Sequence, residues 1–233
     1  MTPRARKEIE EAEVVVGYKT YLKLIEPLLD RQDIFSSGMG GEIERGERAL
    51  KQAALGRRVA VVSSGDAGIY GMAGLILELI HERDYQLSVE VIPGVTAASA
   101  AASLLGAPLM HDHVVISLSD LLTPWEKIVH RLKLAAKGDF VLALYNPRSH
   151  GRKEHINRAQ KILLKHRAKE TPVGIVRSAG REGEEVILTS LGEMLEHRID
   201  MLTTVIVGSS RSFSFREYLV TPRGYFSVKG GDN

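Results

Sequence analysis

Three stretches of this 233-residue chain place glycines or polar groups directly behind runs that read as buried strands. The first is Ser63 to Gly74 (SSGDAGIYGMAG), which follows VAVV at Val59–Val62 and repeats glycine at every third position from Gly65. Glycine at a strand end lets backbone N–H groups approach a ligand, and open α/β sheets bind their ligands at the carboxyl ends of strands. The competing reading is a plain turn in which Asp66 caps the next helix. A dinucleotide site is disfavoured because GxGxxG is absent. The second stretch, Pro93-Gly94-Val95-Thr96-Ala97-Ala98, follows Val89–Ile92. Its Thr96 hydroxyl suits a ligand or a helix start equally well. Two such loops at successive strand ends favour a shared pocket. The third, Tyr145-Asn146-Pro147-Arg148, ends the run Phe140–Leu144, although Asn-Pro also initiates turns unaided.

Charge adds a fourth feature. Arg148 to Lys169 carries eight lysines and arginines against one acid, Glu154. This is either a solvated helix face or a contact surface for a polyanion, and charge alone does not separate nucleic acid from a polycarboxylate. His111-Asp112-His113 has the look of a metal cluster. Neighbours on a strand point to opposite faces, however, and no further ligand stands nearby, so a loop role is preferred and no metal is expected. Cysteine is absent. That removes disulfides, thiolate metal sites and a cysteine nucleophile. No GxSxG elbow supports a serine hydrolase. Trp125 reads as helix-start packing.

The elements that must position these groups are legible as an alternation. Apolar runs at Val14–Val16, Val59–Val62, Val89–Ile92, Val114–Leu118, Phe140–Leu144, Val173–Val176 and Thr204–Val207 read as strands covered on both faces. Helical periodicity spans Glu42–Leu55, Trp125–Ala136 and Glu154–His166. This predicts an α/β fold with a mostly parallel sheet. The length fits one or two domains, with a boundary expected at 111/112, giving domains 1–111 and 112–233. The net charge of +2 argues against a dedicated nucleic-acid binder. The charged first thirteen residues are no secretory signal. Val91–Met110 has no formal charge, but its small residues and prolines predict a short, closely packed helix rather than a membrane span. The tail from Ser209 is expected to be irregular, with its last few residues mobile.

Together these loops resemble the tetrapyrrole (corrin) methylases. The matching pieces are VVVGYKTYL, SSGMGGEIERGERAL, SSGDAGIYGMAG, VIPGVTAASAAASLLGAPL, SLSDLLTPWE, LYNPRS and TTVIVG, together spanning roughly Thr2 to Phe213. Several of them resemble the branch that methylates C-17 of a corrin precursor and contracts the macrocycle in cobalamin synthesis. The resemblance implies two α/β domains with the active-site cleft between them, and S-adenosylmethionine as methyl donor. It assigns donor contacts to Ser64, Gly65, Asp66, Ile69, Thr96, Ala97, Asn146 and Ala179. It places acid–base positions near Tyr18 and Met39, where the Asp and Lys of some relatives are not matched. By position, Tyr18, Asp66, His111 and Asp112 are candidates for the proton movements of ring contraction. Met39, Arg148 and Arg152 are candidates for holding a substrate rich in carboxylates. A cytoplasmic homodimer is implied, with neither nucleic acid nor membrane as partner. The family's opening strand and its GxGPG loop have no counterpart here, which predicts a distorted or partner-completed N-terminal sheet and impaired donor or substrate binding. Three alternatives stay open: another corrin position, a same-fold methylase acting on RNA or protein, and an inactive short form serving as a binding subunit.

Overall fold

Val14, Val15 and Val16 are wholly buried because the strand they form is covered on both faces. Val15 packs with Ile9, Leu22 and Ile25, whereas Val14 and Val16 turn the other way onto Ala49. The computed structural model describes residues 1–149 and 151–226, and it divides into two compact units, Met1–Thr96 and Ala97–Asn233.

The first unit runs α1 (Pro3–Glu10), β1 (Val14–Tyr18), α2 (Lys19–Leu24), β2 (Asp33–Ser37), α3 (Glu42–Ala54), β3 (Val59–Val62) and α4 (Ala73–Glu82). Thr2 caps α1 by accepting from the Ala5 N–H at 3.2 Å, with Pro3 opening the helix. The strands form a parallel sheet in the order β2-β1-β3. Their pairing is unbroken, so the distortion expected of this sheet is not found within these three strands. The segment Val89–Ile92, expected as a strand, joins no sheet among the described residues. Glu90 pairs with Arg4, and the Pro93 carbonyl accepts from the Thr2 hydroxyl, so the segment lies against the start of α1.

The second unit holds α5 (Ala97–Leu105), β4 (Gly106–Ala107), β5 (His113–Ser117), α6 (Trp125–Lys137), β6 (Val141–Tyr145) and α7 (His155–Leu163). After these come β7 (Pro172–Arg177), β8 (Glu185–Ser190), β9 (Thr203–Val207), β10 (Phe213–Phe215) and β11 (Tyr218–Val220). The main sheet has the order β5-β6-β9-β7-β8. It is mixed rather than mostly parallel: only β5 and β6 pair in parallel, and β9 runs against both its neighbours. Because β9 is antiparallel to both β6 and β7, the strands β5, β6 and β7 still point the same way. Ile128, Leu132, Ile156 and Leu163 of α6 and α7 cover one face. Ala98, Ala101 and Leu105 of α5 cover the other. Because α5 belongs to this core, the division between units falls at Thr96/Ala97, ahead of the boundary expected at 111/112. The tail is not irregular throughout, since β10 and β11 form a hairpin whose second strand pairs in parallel with β4. The expectation of mobile last residues concerns positions outside those described. Within Val91–Met110 only the nine residues of α5 are helical. No helix among the described residues is long and apolar enough to cross a membrane.

The close seat of α5 is testable. A Cβ at Gly174 in β7 would stand 2.2 Å from Cδ1 of the wholly buried Leu105. Gly174→Ala should cost about 1–3 kcal/mol in urea unfolding. Gly74→Ala, where an added Cβ meets nothing, should stay within about 0.5 kcal/mol of wild type.

Candidate functional site

Two loops of the first unit are held together by one carboxylate. Asp66 Oδ1 accepts from the Gly68 N–H at 2.8 Å, within its own loop. Asp66 Oδ2 accepts from the Gly94 N–H at 2.8 Å, in the second loop. Asp66 therefore does not cap α4, whose flanking Met72 N–H donates instead to Ser63 Oγ at 3.0 Å. The two backbones touch: a Cβ on Gly94 would lie 2.0 Å from the Gly65 carbonyl oxygen. Gly65 itself takes a positive φ of 76°, a conformation glycine adopts without steric cost. Beside this contact Ile69 is 42% exposed, and Ser64 and Thr96 are half-buried. The result is a floor of main chain with one apolar side chain beside it. Its polar side chains are the hydroxyls of Ser64 and Thr96 and the carboxylate of Asp66.

Tyr18 ends β1 at the same sheet edge, paired in register with Ser37 of β2. Its ring meets Tyr21 edge-on at 5.2 Å. The turn Gly38–Gly41 is organised by Arg45, a residue that motif reading passed over because it sits inside a charged helix. Arg45 is only 6% exposed. It donates to Ser37 Oγ (2.6 Å) and to the Gly38 carbonyl (2.9 Å), and it pairs with Glu42 at 3.2 Å. Its guanidinium lies 6.0 Å from the Tyr18 ring centroid. Met39, at the tip of this turn, is 68% exposed.

In the second unit the carboxyl ends of β5, β6 and β7 share one edge. Tyr145 closes β6 and accepts from the buried Ala98 N–H at 2.6 Å. It thereby satisfies a free donor at the start of α5, next to Ala97. Asn146 follows with φ 51°, a conformation Asn tolerates better than most residues, and donates to Ser117 Oγ at 2.9 Å. Ala179 lies partly buried against the α5 core, in the turn after β7. That turn is held by Arg177, which donates to Asp200 Oδ2 at 2.9 Å and to the Gly183 carbonyl at 3.3 Å. Burial alone would raise the Asp200 carboxyl. The hydrogen bonds from Arg177, the Leu202 N–H and Thr203 outweigh it and leave the pKa below the ordinary value.

Arg148 and Arg152 follow Asn146, with Ser149 and Arg152 exchanging backbone hydrogen bonds at 3.2 Å. Both arginines are half-buried, and each has a buried Nε without a hydrogen-bond partner. Beside them Asp120 meets His155 Nε2 at 3.0 Å. The His155 ring packs edge-on against Trp125, with centroids 4.4 Å apart. The hydrogen bond with His155 is the largest influence on Asp120 and, with Arg152 nearby, holds its carboxyl below the usual range. Neither Asp120 nor His155 was singled out from sequence, although SLSDLLTPWE marked the loop. The structure does not bring His111 and Asp112 to this edge. They precede β5 and sit at the opposite end of the strands, about 16 Å away for a five-residue strand. There they line a depression of about 260 Å³ with Asp139, Ser209 and Arg211.

The profile of the family described as Tetrapyrrole (Corrin/Porphyrin) Methylases matches residues 1–195. The chain belongs to that family. It is 53% identical over 229 residues to the cobalt-factor III methyltransferase of Priestia megaterium, covering 97% of this chain and 42% of that longer protein. It is 50% identical over 225 residues to the probable cobalt-factor III C(17)-methyltransferase of Salmonella typhimurium, covering 97% of this chain and 93% of that one. Among solved structures, the methyltransferase CobJ superimposes with a TM-score of 0.90 at 35% identity, covering 95% of this chain and 93% of that one.

Asp66→Ala frees two N–H donors and should lower stability by about 1–3 kcal/mol in urea unfolding; an unchanged midpoint would mean the bridge is not made. Asp200, with its folded pKa depressed, stabilises above its unfolded pKa and loses that contribution as the pH falls through the folded value. Urea titrations from about pH 6 down to about pH 3 should therefore show a falling stability that Asp200→Asn makes shallower.

Proposed function

We propose that this chain is a cobalt-factor III (precorrin-3B) C(17)-methyltransferase. It would transfer a methyl group from S-adenosylmethionine to C-17 of a corrin precursor, with contraction of the macrocycle, in cobalamin synthesis. The observation that carries the reading is the floor bridged by Asp66, in a chain half-identical to a protein named for that reaction. Two loop backbones in contact, with glycine on both sides and an exposed Ile69 beside them, suit a nucleoside held by main-chain groups and an apolar neighbour.

The donor would supply an electrophilic methyl group on a sulfonium. The chain's own residues then need only position and hold the reactants. Ser64, Gly65, Asp66, Ile69, Thr96, Ala97, Asn146 and Ala179 are the donor contacts of this reading. Arg148 and Arg152 supply the positive charge that a polycarboxylate substrate requires. For proton movement the reading favours Tyr18, which ends β1 at the ligand edge. Asp66 has both carboxylate oxygens engaged, and His111 and Asp112 stand at the far end of their sheet. The same reading carries a cytoplasmic homodimer as its compartment and assembly.

Calorimetric titration with S-adenosylhomocysteine tests the donor half. Wild type should bind with micromolar affinity, Asp66→Ala should bind about tenfold more weakly or worse, and Arg148→Ala should bind as wild type does. A folded wild-type chain that takes up no S-adenosylhomocysteine would overturn the reading.

A further inference from the structure

The loop between β5 and α6, residues 118–124, is tied down at several points and yet ends in an apolar tip. At its base the Leu118 N–H donates to the Tyr145 carbonyl at 2.8 Å, and the Ser119 N–H donates to Ser117 Oγ at 3.2 Å. Asp120 is clasped to His155 at the start of α7. At the far end Trp125 begins α6 and packs on that same histidine. Between these anchors Leu121 is 74% exposed and Leu122 is 93% exposed. Two adjacent leucines on a loop fixed at both ends form a highly exposed apolar tip, and contiguous exposed apolar surface marks binding sites. Their neighbours are cationic: Arg152 lies close enough to influence Asp120, and Arg148 stands just past the end of β6, the strand paired with β5.

We propose that Leu121 and Leu122, presented by the Asp120–His155 clasp, receive the apolar face of the tetrapyrrole ring while Arg148 and Arg152 take carboxylates at its rim. This rests on the methyltransferase reading and adds to it the part of the chain that recognises the macrocycle. The occupant follows from charge and shape. A flat apolar disc edged with carboxylates needs an apolar contact beside cations, and this loop and the turn after β6 place the two together. A free nucleotide or a nucleic acid would use the arginines and leave both leucines in water. Asp120 and His155 are positioning residues here. They act through the loop, whose base the Asp120–His155 contact holds to the start of α7.

The test is a titration of the full chain with cobalt-factor III, followed by visible absorbance, beside S-adenosylhomocysteine calorimetry and thermal melting. Leu121→Ser/Leu122→Ser should weaken tetrapyrrole binding by about tenfold or more, with donor affinity and melting temperature unchanged. Asp120→Asn should weaken it to a smaller degree, again sparing donor affinity. Leu55→Ser changes an equally exposed leucine in the first unit and should change none of the three. Equal tetrapyrrole affinity in wild type and the double leucine variant would overturn the inference and leave the methyltransferase reading standing. A wild type that binds the tetrapyrrole but never methylates it would do the reverse.

Discussion

In the first unit, one carboxylate determines how two loops meet. Asp66 accepts from a donor in its own loop and from a donor in the loop after Val89–Ile92. Those bonds bring Gly94 against the Gly65 carbonyl at a distance that only glycine permits. The loops lie on either side of α4 in the chain, so no local preference brings them together. Two hydrogen bonds to a charged acceptor, each stronger than a neutral one, do so instead. The segment leading into Gly94 has no sheet partner among the described residues. It is secured at this end by Asp66 and beside it by Arg4 and Thr2.

The second unit reaches a similar end by another route. Its sheet is mixed, yet β5, β6 and β7 point the same way because β9 is inserted antiparallel between β6 and β7. Three strand ends therefore share one edge, and the turns there are fixed by side chains rather than by further strands. Tyr145 satisfies the start of α5, Asn146 reaches Ser117, Arg177 holds the turn containing Ala179, and Asp120 meets His155. The acids among them are drawn below their ordinary pKa by their partners. They are charged near neutrality, as clasps of this kind require.

What the sequence shows and what it hides follow from the range of the interactions. Valine-rich runs at Val59–Val62 and Val173–Val176 are strands because burial on both faces leaves a local signature. Val89–Ile92 carries the same signature and joins no sheet, since a strand needs a hydrogen-bonded neighbour that no local pattern reveals. Asp33–Ser37 shows the converse: it carries no such apolar run, and its pairing with β1 makes it a strand. At the site, glycine spacing located the Ser63–Gly74 loop and left its purpose open between cap and cradle. The bond from Asp66 to Gly94, twenty-eight positions along the chain, excludes the cap and joins two loops. Arg45, Asp120 and His155 escaped notice because each is an ordinary charged residue in sequence, and only its partner gives it a part to play.

The carbon that receives the methyl group defines the reaction. The most direct measurement incubates the purified chain with cobalt-factor III and S-adenosylmethionine carrying an isotopically labelled methyl group, and locates the label in the product by NMR. The account predicts a single labelled methyl at C-17 of a contracted macrocycle. A label on another ring carbon, or a corrinoid returned unlabelled by a chain that binds S-adenosylhomocysteine, would contradict it.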